Sequence, residues 1–218
     1  MRAPIALVAV CVTTSTALLL TACGGGSDSA DKIQQSPSGS PSTSAAASAS
    51  PSTSSAAADR PTITFPSDAH DVFEDQSTGD AAKDAILADN AHWVEAMDDA
   101  VFQGTTKTKA LPFYGVGLGY QKALPYIRGF LDKGKSWTGT VLFFDRKVTL
   151  LSSNDAAVIY CSDESKAFPK DRKTGEVEHT AGSSLDYVLY NTDLKKNAQG
   201  VWQTDNVTSY RGDKQCQP

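Results

Sequence analysis

Residues 79–104 read GDAAKDAILADNAHWVEAMDDAVFQG, and this stretch decides the class of the fold. Its apolar side chains recur every three to four residues, and they are Ala82, Ile86, Trp93, Met97, Ala100 and Val101. That spacing places them along one side of a helix, with most charged side chains elsewhere. Gly79-Asp80 opens the stretch and Gly104 ends it. The pattern predicts one long amphipathic helix that ends at about Gln103.

A second helical region follows a glycine-containing loop. It runs from about Gly117 to Lys133, and Gly134 supplies a stop signal. The face available for packing contains Leu118, Lys122, Tyr126, Ile127 and Phe130. Pro125 lies within the region and lacks a backbone N–H, so we expect it to kink or interrupt the helix.

After Lys135 the spacing of apolar residues changes from helical to alternating. Four strands are predicted, at about residues 136–151, 156–161, 185–192 and 201–210, with turns at 152–155 and 197–200. The alternation changes phase within the first strand, which indicates a bulge or bend near Asp145. Helices followed by strands indicate an α+β fold in which the helices pack on one face of an antiparallel sheet.

This order of elements resembles the nuclear transport factor 2-like fold. Local segments also resemble actinobacterial lipoproteins of that group, namely AAVIYCSD at 156–163, KTG at 173–175, GVW at 200–202 and the late Cys216. The resemblance covers about residues 75–218. It implies a cone in which N-terminal helices cover a strongly curved, mainly antiparallel sheet, with a pocket between the helices and the sheet.

The N-terminus is typical of an exported lipoprotein. Residues 1–22 have a basic start at Arg2 and an apolar run from Ile5 to Leu20, the pattern of a cleaved signal peptide. Leu20-Thr21-Ala22-Cys23 resembles the bacterial lipobox, which implies cleavage before Cys23 and acylation of its thiol, with palmitate as one candidate chain. We expect the protein on the outer face of the cell membrane. The alternative is an ordinary secreted protein whose cleavage site lies near a cysteine.

Two further regions follow the signal peptide. Residues 23–60 are rich in Ser, Ala, Pro and Thr and contain one large aliphatic residue, Ile33, so they are predicted to be a disordered linker. Residues 61–218 have the usual length of one domain, and we expect a single α+β domain there.

The charge of the chain limits its possible partners. The formal net charge is −5, which argues against nucleic acid as a partner. The basic residues Lys166, Lys170, Arg172 and Lys173 are interpreted as a solvated hairpin tip rather than a binding patch.

The cysteines predict one disulfide. Cys11 is removed with the signal peptide and Cys23 is acylated, which leaves Cys161 and Cys216 as the two thiols of an exported protein. No cysteine or histidine lies at metal-ligand spacing from either of them, so we expect neither a metal nor a cofactor. The segment Gly115-Val116-Gly117-Leu118-Gly119 does not follow a strand and lacks the spacing of a dinucleotide fingerprint.

The sequence contains no motif that identifies a reaction. Candidate pocket residues are His92, Trp93, Tyr114, Tyr126, Phe130, Trp137 and Phe143. Further acid, base or donor candidates are Asp89, Tyr120, Asp186 and Tyr187, and an ordinary packing role is the more common explanation for each. No residue is assigned as catalytic.

Two functions remain open at this point. The favoured one is a non-catalytic domain that binds a small apolar ligand, a cell-wall component or a protein partner. The alternative is an enzyme of the isomerase or dehydratase type. A histidine or aspartate deep in an open cavity, close to a tyrosine hydroxyl and with a pKa near neutrality, would favour the enzyme.

Overall fold

The computed structural model of the protein describes residues 59–218, in which three helices precede most of the sheet. Helix α1 spans Ala81–Gln103, as predicted. The Asp80 side chain accepts hydrogen bonds from the backbone N–H groups of Ala82 and Lys83, which would otherwise have no partner. Gly104 ends the helix in the left-handed conformation that glycine adopts without steric cost.

The other two helices connect α1 to the sheet. Helix α2, Ala110–Tyr114, was not predicted because one turn is too short to show a periodic pattern. Helix α3 spans Gly117–Leu131 and continues through Pro125. Its buried residues are Gly119, Ala123 and Ile127, and Leu118 is 53% exposed. The predicted face of α3 was therefore wrong in part: Ile127 is buried as predicted, but the other buried residues are the small Gly119 and Ala123 rather than Leu118.

Five strands form one sheet in the order β1-β2-β3-β4-β5. Their bounds are β1 Ala69–Phe73, β2 Lys135–Leu150, β3 Asp155–Asp171, β4 Tyr187–Lys196 and β5 Trp202–Arg211. Strand β1 pairs in parallel with β2, and the other neighbours are antiparallel. The pairing of β2 with β3 shifts register between Thr140 and Leu142 and again between Phe144 and Lys147. The second shift contains Asp145, with φ of 53°, so the bend predicted there is confirmed.

The main hydrophobic core lies between α1 and the inner face of the sheet. Trp93 and Ile86 of α1 are fully buried in it, together with Val158 of β3 and Leu194 of β4. This arrangement confirms the predicted α+β class with helices on one face of a mainly antiparallel sheet. It also agrees with the fold that the resemblance implies. All described residues belong to one compact unit.

Two features of the sheet differ from expectation. Strand β1 was not predicted, and β3 continues ten residues beyond the predicted end at Cys161, to Asp171. Lys166 and Lys170 of the basic stretch therefore lie in β3, whereas Arg172 and Lys173 lie in the turn that follows it. Lys170 pairs with Asp68 at 2.6 Å, and Arg172 donates to the Val101 carbonyl at the end of α1.

The outer face of the sheet carries the pair of cysteines. Cys161 and Cys216 are disulfide-bonded, with their Cα atoms 5.5 Å apart, inside the usual range. Both are buried with Leu189 in a small second cluster.

Signal-peptide cleavage, acylation of Cys23 and the linker up to residue 58 all lie outside the described residues. None of the helices in the described part of the chain is long and apolar enough to span a bilayer.

Candidate functional site

A cavity of about 750 Å³ lies between the helices and the inner face of the sheet. Seven aromatic side chains form much of its wall: Tyr126, Phe130, Trp137, Phe143, Tyr160, Phe168 and Tyr190. The exposed members of the wall include Lys122, Thr180, Ser209 and Arg211, and they mark the mouth between α3 and the end of β5. A cavity of this size suits a drug-sized, mainly apolar molecule.

Three acidic residues line this cavity, Asp98, Glu164 and Asp186, and Asp98 is the buried one. Asp98 lies on the inner side of α1 and is 4% exposed. Its Oδ1 accepts a hydrogen bond from the Tyr126 hydroxyl at 2.8 Å and another from Trp137 Nε1 at 3.0 Å. Burial raises the pKa of Asp98 to about 6, because the charged form loses its hydration, and the two hydrogen bonds partly oppose the shift. Asp98 therefore changes protonation close to neutral pH.

Tyr126 extends from the mouth of the cavity to its interior. The residue is 42% exposed overall because its ring lies at the surface of α3, while its hydroxyl points inward to Asp98. Burial of the hydroxyl and the nearby Asp98 carboxylate raise the pKa of Tyr126 well above its usual value. The hydroxyl is therefore protonated at neutral pH and can donate a hydrogen bond.

An ion pair lies near the mouth, on the sheet side. Arg211 contacts both carboxylate oxygens of Glu164, at 2.8 and 3.2 Å, and also donates to the Leu185 carbonyl. Tyr190 and Tyr160 stack beside this pair with ring centroids 4.9 Å apart. Through Arg211, the end of β5 is thus tied to β3 and to the helical turn Ser184–Asp186 that precedes β4, and the pair gives the outer part of the cavity a polar rim.

The predicted pocket residues separate into three places. Tyr126, Phe130, Trp137 and Phe143 line the cavity. His92 and Tyr114 stack on each other, 5.2 Å apart, in a smaller surface depression beside Arg60. Trp93 is fully buried in the main core and lines neither of them.

The other acid and donor candidates have different surroundings. Asp89 is buried and paired with Arg60, and it accepts a hydrogen bond from the Trp202 backbone N–H at 2.8 Å, which is a structural role. Asp186 caps the short helical turn Ser184–Asp186 and also borders the cavity. Tyr120 packs against the main core, and Tyr187 packs against the disulfide cluster.

Asp98 was not among the candidate residues predicted from the sequence, although its spacing from apolar residues of α1 indicates burial. Asp98 follows the buried Val94 by four residues and precedes the buried Val101 by three. An acid at that position lies within the apolar side of the helix. Its neighbour Asp99 is also buried, but it accepts from the Thr64 N–H and from Gln103, away from the cavity. Sequence spacing alone could not tell these two aspartates apart.

No group of three His, Cys, Asp or Glu side chains within residues 59–218 is placed to hold a metal ion.

Comparisons with known proteins give fold likenesses only. No family model matches the sequence, and no curated protein is significantly similar to it. Among solved structures, a ketosteroid isomerase-like protein from Erwinia carotovora atroseptica is 16% identical, with a TM-score of 0.37 over 58% of this chain and 93% of the other. The intermembrane space region of the chloroplast protein ARC6 is 13% identical, with a TM-score of 0.38 over 59% and 97%.

A third likeness is to a domain of unknown function with a cystatin-like fold from Nostoc punctiforme. It is 18% identical, with a TM-score of 0.36 over 62% of this chain and 78% of the other. Because the identities and TM-scores are this low, the chemistry of the cavity has to be derived from its own side chains.

Proposed function

We propose that the domain is an acid–base enzyme of the isomerase or dehydratase type that acts on a small, mainly apolar molecule bound in the cavity. Asp98 is the general base and Tyr126 is the hydrogen-bond donor. The single observation that carries the proposal is the 2.8 Å contact between a buried carboxylate and a tyrosine hydroxyl on the wall of an open apolar cavity. This is the arrangement that favours the enzyme over a non-catalytic binding domain.

Asp98 has the properties of a base suited to neutral pH. With a pKa of about 6 it is mainly ionised at pH 7, yet it binds a proton more readily than an ordinary aspartate. A base with a pKa near the working pH transfers protons efficiently. Its apolar surroundings also keep water from competing for the proton.

Tyr126 can stabilise the charge that proton removal creates. When Asp98 takes a proton from carbon, its carboxyl group becomes neutral and accepts hydrogen bonds less strongly. The Tyr126 hydroxyl is then free to donate to a ligand oxygen on which negative charge develops, as in an enolate. A compound with an acidic C–H next to a carbonyl group fits both residues.

The test is exchange of the α-hydrogens of cyclic ketones in deuterated water, followed by mass spectrometry. We expect the protein to accelerate exchange, and Asp98→Asn to lower the rate by about 10²- to 10⁴-fold. Tyr126→Phe should lower it by about 10²-fold or more. Ligand binding is followed separately by tryptophan fluorescence, because Trp137 forms part of the wall.

Matched controls are available on the same elements. Asp99→Asn changes a buried aspartate of α1 outside the cavity, and Tyr210→Phe removes a hydroxyl from a 52% exposed tyrosine on β5. Both should retain full exchange activity. Binding of ketones without accelerated exchange would contradict the enzyme and leave a binding domain.

We also propose that the protein is a lipoprotein anchored through Cys23 to the outer face of the cell membrane. The lipobox-like sequence Leu20-Thr21-Ala22-Cys23 supports this location. Mass spectrometry should find an acylated N-terminal Cys23, and Cys23→Ala should release the protein into the medium or stop its processing. Cys11→Ala, within the signal peptide, should leave the anchor intact. Normal maturation and membrane attachment without Cys23 would refute the anchor.

A further inference from the structure

A second carboxyl group, that of Asp71, lies in the interior beside the proposed base. Asp71 is the central residue of β1 and is in register with Val141 of β2. Its neighbours on the same face of β1 are Ala69, which is buried, and Phe73, which stacks on Phe143 at 4.7 Å. The Asp71 side chain therefore points inward, toward the same side of the sheet that Asp98 approaches from α1.

The surroundings of Asp71 do not suit a carboxylate. Both of its side-chain oxygens are closed off from solvent, and neither receives a hydrogen bond from a donor within residues 59–218. A buried carboxylate without hydrogen bonds is unfavourable, because it loses the hydration that stabilises its charge and gains nothing in return. Burial and the nearby Asp98 and Glu95 carboxylates raise the pKa of Asp71 well above its usual value. These surroundings favour the protonated form of Asp71, which has one O–H to donate.

We infer that Asp71 and Asp98 form a carboxyl pair that holds one proton, in which the Asp71 hydroxyl donates to the Asp98 carboxylate. Asp71 is then a positioning residue: it fixes the orientation of the Asp98 carboxyl group and stabilises its ionised form. The carboxyl pair can exist whether or not the protein is an enzyme. Its effect on a reaction does rest on the proposed function, in which Asp98 is the base.

The proton count explains how the pair would act. Before reaction the pair carries one proton and one negative charge. When Asp98 takes a proton from the ligand, the pair carries two protons and no charge, and returning the proton restores the first state. Asp71 keeps its own proton throughout, so no further acid or base is needed.

Several other groups face the pair, from every element packed around it. Those that interact with its carboxyl groups are Glu95 on α1, Tyr126 on α3, and Tyr160 and Glu164 on β3. Arg146 on β2 and Tyr190 on β4 lie next to these groups. The tyrosines keep their protons, because burial raises the pKa of each one. Arg146 is a buried cation that donates to the Leu87 carbonyl at 2.7 Å, and even with its pKa lowered to about 10 by burial it stays charged. The tyrosines and Arg146 therefore keep the same charge near neutral pH, whereas burial raises the pKa of Glu95, so Glu95 is the neighbour that can titrate together with the pair.

The experiment is a pH titration of the full chain labelled with ¹³C at the aspartate carboxyl carbons, followed by NMR from about pH 3 to about pH 9. In the wild type, one carboxyl signal should titrate near pH 6 and a second should remain protonated at higher pH. Asp98→Asn assigns the first signal. Asp71→Asn should remove the second signal and leave the Asp98 midpoint nearly unchanged, because the amide N–H still donates.

Asp71→Val removes the donor and should raise the Asp98 midpoint by about one pH unit or more. If Asp71→Val does not fold, the isosteric Asp71→Asn still tests the inference, because it should remove the carboxyl signal that stays protonated at higher pH. Two aspartates that both titrate below about pH 5, or an Asp98 midpoint that Asp71→Val leaves in place, would overturn the inference. Since the titration needs no ligand, ketone exchange failing while the pair titrates as expected would refute the enzyme alone.

Discussion

At the scale of single residues, Asp98 shows how a site for acid–base chemistry lowers the stability of the fold around it. The folded protein holds this carboxyl group away from water, so ionisation costs free energy that the unfolded chain does not spend. Hydrogen bonds from Tyr126 and Trp137 offset part of that free-energy cost. Functional groups are often held in this way, with stability given up for reactivity.

The pH dependence of unfolding follows from this shift. The pKa of Asp98 is about 6 in the folded state and near 3.8 when unfolded, so the folded state binds the proton more tightly. The contribution of Asp98 to the free energy of unfolding is therefore greatest below about pH 4. It falls by about 3 kcal/mol as the pH rises to about 6 and beyond. Asp98→Asn should remove this dependence and leave the variant more stable than the wild type at pH 7, as measured by urea unfolding at several pH values.

Asp171→Asn is the control for that measurement. Hydrogen bonds from the Thr174 and Lys173 backbone N–H groups lower the pKa of Asp171 to about 2, so this group is already ionised between about pH 5 and pH 6. Its replacement should shift stability by nearly the same amount at each pH in that window. A difference between Asp98→Asn and the wild type that does not vary with pH would mean that Asp98 is not buried as an acid.

At the scale of elements, the close approach of α3 to β5 sets the width of the cavity. Gly119 lies against the sheet, where a Cβ atom would be 2.4 Å from the Thr204 carbonyl oxygen. Gly119→Ala should move α3, which carries Tyr126, and lower the free energy of unfolding by about 1–3 kcal/mol. Ketone binding should weaken in the same variant. Denaturant unfolding and tryptophan fluorescence measure the two effects.

The same helix provides the matched control. Gly129 is exposed, and a Cβ atom there would have no neighbour within 4 Å. Gly129→Ala should raise stability by up to about 1 kcal/mol, because alanine favours the helix over glycine, and ligand binding should not change. Equal effects of the two substitutions would show that α3 is not tightly packed at Gly119.

Helix α3 also shows what could be predicted from the sequence and what could not. Its start at Gly117 and its length were predicted, because local spacing and stop signals determine them. Its buried face was predicted only at Ile127, because hydrophobicity favours Leu118 for burial whereas the close contact with Thr204 requires a glycine at position 119. Tyr126 and Trp137 were among the candidate pocket residues, but their contact with Asp98 could not be predicted, for a related reason. Asp98, Tyr126 and Trp137 are far apart in the sequence, and only the packing of α1 and α3 on the sheet brings them together.

At the scale of the whole molecule, the two faces of the sheet have different roles. The helices cover the inner face and enclose the cavity. On the outer face, the C-terminal segment packs against β3 and β4 through Cys216, which is bonded to Cys161 and buried with Leu189. Tyr160, the neighbour of Cys161 along β3, points the other way and lines the cavity. The disulfide therefore stabilises strands β3 and β4, which carry part of the cavity wall, but neither cysteine lines the cavity.

The disulfide is expected to affect stability and leave ligand binding intact. It closes a loop of 55 residues, for which restriction of the unfolded chain corresponds to about 4 kcal/mol, and measured losses are typically about 2–4 kcal/mol. The double variant Cys161→Ala, Cys216→Ala should lose stability in that range in denaturant unfolding. Its ketone binding under native conditions should equal that of the wild type. Reductant should destabilise the wild type to a similar extent and have no effect on the double variant. If reductant weakens both proteins equally, or if the double variant loses ligand binding while still folded, the outer face is not independent of the cavity.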